Sequence, residues 1–392
     1  MPAEDSLDAA PPRSRTLSLL PIQRAVLATE ASDRWLRLAE RLTGPLDERA
    51  LAAAVGVLAR RHEALRVAFT PSEEVQVLHE SAPLRFPILR ANGPGLVTEP
   101  LRSDVEADLA GLEPSRPPRL GGGLVRLGDE EHVLFLCLDR LVGDRRSLAL
   151  LSRELRMLYG VLSGESATGL PPAPSYAAHV GAAAPAATST PPPASGPFQR
   201  SRLVVDRPDG EPAPFLRLVR IAAAAAALRA TGARSLVLST LLEDFSDEHA
   251  DLVAPLARPI EHAVGEARAR ALRELVDTVV PELVASAEGF GRDSVRVAVE
   301  TVERPNAPRF APDVGLEAIP LRTVESHHDP AAALSVVVTD VGHELWLDVR
   351  HAAIIGPPQL GPRLAAATAA VLRRVATPPG RIREPDPLAD LD

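Results

Sequence analysis

The feature that most constrains this chain is a break near its middle. Across residues 171–197 the sequence turns to Pro, Ala, Ser and Thr, including Pro191-Pro192-Pro193. Such a stretch offers no recurring apolar face for a packed helix or strand, and each proline removes a backbone donor. Patterned sequence of similar length lies on either side, so two domains joined by a linker are expected. The expected limits are an N-terminal subdomain at 15–175, a Pro/Ala-rich linker at 176–200 and a C-terminal subdomain at 201–388. With 392 residues in all, each half is long enough to bury its own core.

Composition narrows the class. Hydrophobic residues at 45% and charged residues at 24% fit a folded chain and not a disordered one. Aromatics are only 3%, so Ala, Leu and Val must fill the cores. No lysine occurs, and all 43 basic residues are arginine, which reads as a coding bias. A net charge of −9 argues against nucleic acid or an anionic membrane as partner. The single cysteine, Cys137, excludes an intrachain disulfide and fits a reducing compartment. Residues 1–15 carry acids and prolines where a signal peptide would be basic and then apolar. The longest apolar run, residues 221–228, is too short to span a bilayer. A cytoplasmic protein is the expectation.

Periodicity sketches the elements. Residues 17–30 are apolar at helical spacing, 34–41 alternate as a strand, and Asp47 caps a helix through Leu51, Val55 and Leu58. Strands are expected at 65–69, 74–79, 124–127 and 132–138, the last apolar on both faces and so central in a sheet. An amphipathic helix follows at 147–162. Beyond the break, helices are expected at 216–230, 265–287 and 360–375, with strands at 235–241, 294–302, 332–339 and 344–350. Both halves read as α/β sandwiches.

Three places could carry chemistry. Residues 61–69, Arg61-His62-Glu63-Ala64-Leu65-Arg66-Val67-Ala68-Phe69, close a helix and enter a strand; their charges would ordinarily be a solvated helix end. Residues 138–147 empty the buried strand into a charged loop, Asp139-Arg140-Leu141-Val142-Gly143-Asp144-Arg145-Arg146. A strand-to-helix turn with Asp144 near the helix start is the plain reading there; a site at the strand end is the functional one. Ser326-His327-His328-Asp329 is a poor metal site, because adjacent histidines rarely point at one ion.

The order of these segments resembles the condensation domain of nonribosomal peptide synthetases, in the chloramphenicol acetyltransferase-like superfamily. Leu17-Ser18 with Pro21-Ile22-Gln23 looks like the opening LSxxQ-type motif. Residues 61–69 match RHExLRTxF at all but one fixed position, Val67 replacing Thr. Residues 132–151 lie where the family has its HHxxxDG loop, and Ser147-Leu148 matches the SL that follows. Pro174-Ser175-Tyr176-Ala177 is similar to a worn YxDYAxW motif, and Asp251-Leu252-Val253 to DLVG. The resemblance runs from about Leu17 to Asp386.

What the resemblance implies is an α/β (α+β sandwich) fold of two acetyltransferase-like subdomains, a V-shaped pseudo-dimer with a tunnel at the junction. Carrier proteins would deliver thioesters there on phosphopantetheine arms, with no resident cofactor and no metal. The second His of HHxxxDG would handle the attacking amine, and the motif's Asp would pair with the last Arg of RHExLR, here Asp144 with Arg66.

Departures from the motif bear on function. The seven positions read Asp139 to Arg145, so both histidines are gone and the Gly is Arg145. Arg140 occupies the position of the second His. A guanidinium has no acceptor lone pair and cannot take a proton from an amine near pH 7. The segment after DLVG is also altered, to Pro255-Leu256-Ala257, and the linker and floor-loop regions are shorter than the family's norm.

Two readings therefore stand. One is a non-catalytic platform for an acyl or peptidyl carrier protein or for a tailoring enzyme; the family includes members that recruit oxidative enzymes and carry Arg at this same position. The other is a divergent acyltransferase, with Arg140, beside Asp139, clamping an anion or developing oxyanion. If the chain is an enzyme, it forms amides or esters from carrier-bound acyl thioesters. Arg140 is expected to face the tunnel and Asp139 the opposite side, by strand alternation. Cys137 and His132 are assigned to structure. Because the chain opens on Met1 and ends soon after the fold, a free-standing protein is expected.

Overall fold

The computed structural model describes residues 14–27, 34–90, 113–183, 197–207, 212–242, 249–279, 293–303, 309–318, 329 and 331–376. The first half runs β1 (Arg15–Ser18), α1 (Pro21–Leu27), β2 (Trp35–Thr43), α2 (Glu48–Arg61), β3 (Val67–Thr70), β4 (Val75–Leu78), β5 (Ile88–Arg90), β6 (Leu120–Arg126), β7 (Glu131–Asp139), α3 (Arg145–Leu162) and α4 (Tyr176–Ala182). The second runs β8 (Phe198–Asp206), α5 (Pro212–Thr231), β9 (Ser235–Leu242), β10 (Arg258–Val264), α6 (Glu266–Val279), β11 (Ser294–Glu303), β12 (Arg309–Ala311), β13 (Val314–Ala318), β14 (Leu334–Asp340), β15 (Glu344–Ala352) and α7 (Leu360–Ala376).

Two six-stranded sheets organise these elements. The first has the order β12-β13-β2-β7-β6-β5 and the second β10-β9-β11-β14-β15-β8; β1, β4 and β3 form a small third sheet. The apolar β7 lies between β2 and β6, as a strand apolar on both faces should. Each large sheet has its own core. The first gathers Leu51, Leu58, Leu65, Phe69, Leu134 and Tyr159 beneath α2 and α3. In the second, Val297, Val336 and Leu347 meet the alanines of α5 and α7. The other face of the first sheet is closed by Trp35, Val133, Phe135 and Cys137. This is a mixed α/β fold of two sandwiches.

Several sequence expectations need correction. Residues 17–27 are not one helix: β1 pairs with β4, and α1 begins only at Pro21. Proline suits a first helical position but turns the residue before it out of helical backbone, and that boundary overrode the apolar spacing. The expected linker at 176–200 opens with α4, capped by the Ser175 hydroxyl, and Phe198 already belongs to β8. Tyr176, Ala177 and Val180 form a buried face that the Pro/Ala composition hid. Residues 184–196, Pro191 included, lie outside the described residues, as do His327 and His328. Strands β8 and β10 had no expectation.

Two pieces of the second half cross into the first lobe. β12 and β13 fall within 201–388 but complete the first sheet, β13 lying beside β2. Their seat needs Gly44, at φ +125°, because a Cβ there would meet the Asp313 carbonyl oxygen at 2.2 Å. Residues 249–257 cross as well, and Leu252, Val253, Ala254 and Leu256 are buried in the first core.

Candidate functional site

The site loop begins where β7 ends. Asp139 is fully buried, and its Oδ2 accepts a 3.0 Å hydrogen bond from Arg119 Nη1. Arg34 Nε lies 3.4 Å from Oδ1, which also accepts from the Leu141 amide at 3.0 Å. Burial pushes the Asp139 carboxyl above its ordinary range, against the pull of Arg119 and Arg34. Burial likewise draws Arg119 down, against the opposing attraction of Asp139. Asp139 is thus enclosed and does not touch the cleft, which removes it as a catalytic candidate.

Arg140 turns the other way. Its amide donates to the Arg34 carbonyl at 2.9 Å, and its half-buried side chain lines a small cleft. Ile22, Val26 and Leu36 form the apolar wall of that cleft. Pro255, Ala257 and Glu300 come to it from the second half, facing Gly143, Asp144 and Arg145. The cavity is about 30 Å³, room for a very few waters. Gly143 is required for the tight loop, since a Cβ would meet Leu138 Cδ2 at 2.6 Å and Ser147 Cβ at 2.9 Å.

The expected Arg66–Asp144 pair does not form. Arg66 donates through Nη1 to the carbonyls of His79 and Glu80, 2.5 and 2.8 Å away. Asp144 instead caps α3, Oδ1 accepting from the Ser147 amide at 2.9 Å. Its Oδ2 accepts from the amides of Leu256 and Ala257 at 3.1 and 3.0 Å. Backbone donors satisfy this carboxylate, so no guanidinium is needed. Arg145, at the family's Gly position, pairs with Glu300 on β11.

The RHE stretch serves packing. Glu154 on α3 accepts from Arg61 Nε at 2.9 Å and Nη2 at 3.2 Å, and lies 2.7 Å from His62 Nε2. Burial would raise the Glu154 carboxyl, but the bonds from His62 and Arg61 outweigh it and hold it below the ordinary range. Glu63 Oε2 accepts from Ser175 Oγ and the Ala177 amide, both at 2.9 Å, fixing the start of α4.

Gln23, part of the LSxxQ-type motif, supports the site loop from beneath. Its Nε2 lies 2.7 Å from the Leu141 carbonyl and 2.8 Å from the Tyr176 hydroxyl, which donates to Gln76 Oε1 at 2.8 Å. Burial pushes the Tyr176 phenol far up, so it stays a hydroxyl donor. Cys137 is buried, and His132 is fully buried with Nε2 at 3.2 Å from Glu48. Asp329 is buried against Arg296. Among the described residues no group of three His, Cys, Asp or Glu could hold a metal ion. No helix among them is long and apolar enough to cross a membrane.

Sequence reasoning missed Arg34, Arg119 and Glu300. A signal existed for Glu300: in β11 it alternates with Val297 and Val299 and so faces away from the core. Nothing in the spacing of Arg34 or Arg119 marked either as a partner of Asp139.

Two sandwiches, strands crossing from the second half into the first sheet, and a cleft at the end of β7 make up a fold that is shared with solved condensation domains. The starter condensation domain of rhizomide synthetase RzmA matches with a TM-score of 0.68 and 15% identity, over 95% of this chain and 98% of that one. The X-domain in complex with OxyB from teicoplanin biosynthesis matches with a TM-score of 0.61 and 24% identity, over 97% and 98%. In sequence, chondramide synthase cmdD of Chondromyces crocatus is 38% identical over 127 residues, 31% of this chain and 3% of that protein. Nonribosomal peptide synthetase kk1B of Curvularia clavata is 31% identical over 137 residues, 34% of this chain and 1% of that protein. This chain thus spans only a few per cent of the length of these relatives. No family model matches the chain.

Proposed function

We propose that this condensation-domain-like chain belongs to nonribosomal peptide or related natural-product biosynthesis, does not form amides, and acts in the cytoplasm as a docking platform for a carrier protein or tailoring enzyme. The observation that carries this reading is the charge arrangement around Arg140. Among the described residues, the titratable groups on the cleft are Arg140, Asp144, Arg145 and Glu300. Both Asp144 oxygens accept backbone hydrogen bonds, and Glu300 is paired with Arg145. Neither carboxylate is poised to take a proton from an amine, and an arginine cannot.

The small cavity supports the same reading, as does the Arg145–Glu300 pair drawn across it from the two lobes. Among the fold's neighbours, an X-domain is found in complex with OxyB, so the fold can serve as a partner surface. A phosphopantetheine arm would then be a visitor belonging to the carrier protein.

The test presents the protein with an acyl-carrier thioester and an amine acceptor. Thioester consumption should stay at background for the parent protein, for Arg140→Ala and for Arg140→His, while carrier binding is retained. Parent turnover that falls by about 10²–10⁴ in Arg140→Ala would overturn the platform reading and select an acyltransferase that uses Arg140.

A further inference from the structure

Four consecutive residues at the start of α3 each reach a different point of the second half. Asp144 holds the amides of Leu256 and Ala257. Arg145 pairs with Glu300 on β11, and Arg146 donates to the His249 carbonyl. The Ser147 hydroxyl lies 3.0 Å from the Ala254 carbonyl and 2.9 Å from Asp144 Oδ1, and can donate to one at a time.

An N-cap explains only part of this. A capping carboxylate needs one oxygen for its own helix, and Oδ1 does that work through the Ser147 amide. Oδ2 serves two amides more than a hundred residues away, on a segment that shares the cleft wall. Leu256 N also approaches the Ala254 carbonyl at 3.0 Å, whereas Ala257 N has Asp144 as its acceptor. Pro255 cannot donate, so Asp144 gathers the first two amides after it. One carboxylate therefore joins both walls of the cleft, and the neighbouring Arg145–Glu300 pair ties the same helix turn to the second sheet.

We propose that residues 144–147 form a staple that fixes how far the cleft between the lobes opens: Asp144, the positioning residue, pins to the first lobe the crossing segment that runs on into β10, and Arg145–Glu300 ties the same helix turn to the second sheet. The surviving aspartate of the motif then acts on lobe geometry rather than on Arg66. This inference does not depend on whether the cleft is catalytic.

Asp144→Asn separates the staple from the cap, because Asn caps helices as well as Asp but turns an amide nitrogen toward the Ala257 N–H. Hydrogen exchange at Ala257 should quicken at least about tenfold, with Ser147 and Leu148 nearly unchanged. Spin labels on Ala149→Cys and Ala366→Cys, both exposed, report the separation of the lobes, since buried Cys137 escapes labelling. The distance distribution should broaden in Asp144→Asn and in Glu300→Gln. Faster exchange confined to Ser147 and Leu148, or a parent-like distribution in both variants, would overturn the proposal. If Asp144→Asn does not fold, the distribution in Glu300→Gln alone decides.

Discussion

The first core is filled by Leu58, Leu65, Phe69, Tyr159 and Tyr176, whereas the second is filled along α5 by six consecutive buried alanines, Ala222 to Ala227. Large side chains leave irregular gaps that polar groups enter, and each buried polar group then needs its partner at one position. Hence the first lobe holds the Asp139, Glu154 and Gln23 networks. An alanine-lined helix asks mainly for smallness, which lets α5 lie close to α6, α7 and β11. Of the pairs in the second lobe, Arg202–Asp348 joins the neighbouring strands β8 and β15, and Arg207–Asp340 links the end of β8 to the end of β14. Precise identity matters more in one lobe and precise volume in the other.

Trp35 lies in the first lobe and Trp346 in the second, so variants keeping one tryptophan can follow each lobe by fluorescence during urea unfolding. The largest effect should come from Glu154→Ala, which takes the acceptor from Arg61 Nε and Nη2 and from His62 Nε2, Arg61 Nη1 keeping the Pro171 carbonyl. Breaking such a buried pair costs about 3–5 kcal/mol. The Trp35 transition should shift far more than that of Trp346. Equal shifts would mean that the crossing segments make the lobes one cooperative unit, and the contrast would fail.

A smaller effect, about 1–3 kcal/mol, is expected of Ala225→Leu, which overfills the contact between helices. Here the Trp346 transition should move more. Unchanged unfolding would show that the alanine run is loosely packed and that volume is not its constraint.

The smallest effect is a difference in acid response. Bonds from His62 and Arg61 keep Glu154 below the ordinary carboxylate range, so its contribution is complete above about pH 4.3 and lost as pH falls through the folded value. Burial lowers His351, against hydrogen bonds that its ring donates to the Pro357 and Gly356 backbone, so the fold favours its neutral form. That contribution is complete above about pH 6.5 and fades as pH falls from there. Between pH 7 and 5 the second lobe should weaken first, and His351→Gln should flatten its pH dependence. A first lobe that weakens first in that window would contradict this assignment.

The same contrast explains what could be read from sequence. Asp47, the central placement of β7 and the main helices follow from capping and periodicity, which act over a few residues. RHE and Gln23 stood out only through the resemblance, since residues 61–69 alone read as a solvated helix end; the partners that hold each side chain lie far along the chain and could not be read. The Arg66–Asp144 pair was inferred from resemblance and failed because backbone amides of residues 256 and 257 satisfy Asp144 here. Those amides lie more than a hundred residues downstream and carry no side-chain signal. β12 and β13 were equally illegible, since nothing local in three- and five-residue strands names the sheet they join.

That crossing also sets an order of events during synthesis. The open edge of β2 waits for β13, so the first sheet stays unfinished until residue 318 has left the ribosome. The segment around Leu252 to Leu256, which enters the first core, must arrive as well. A nascent first lobe would therefore linger with an exposed strand edge and an incompletely filled interior, the condition in which chains pair wrongly or call on chaperones. Truncation after the proline-rich stretch should thus yield a sticky intermediate rather than an independent half-molecule.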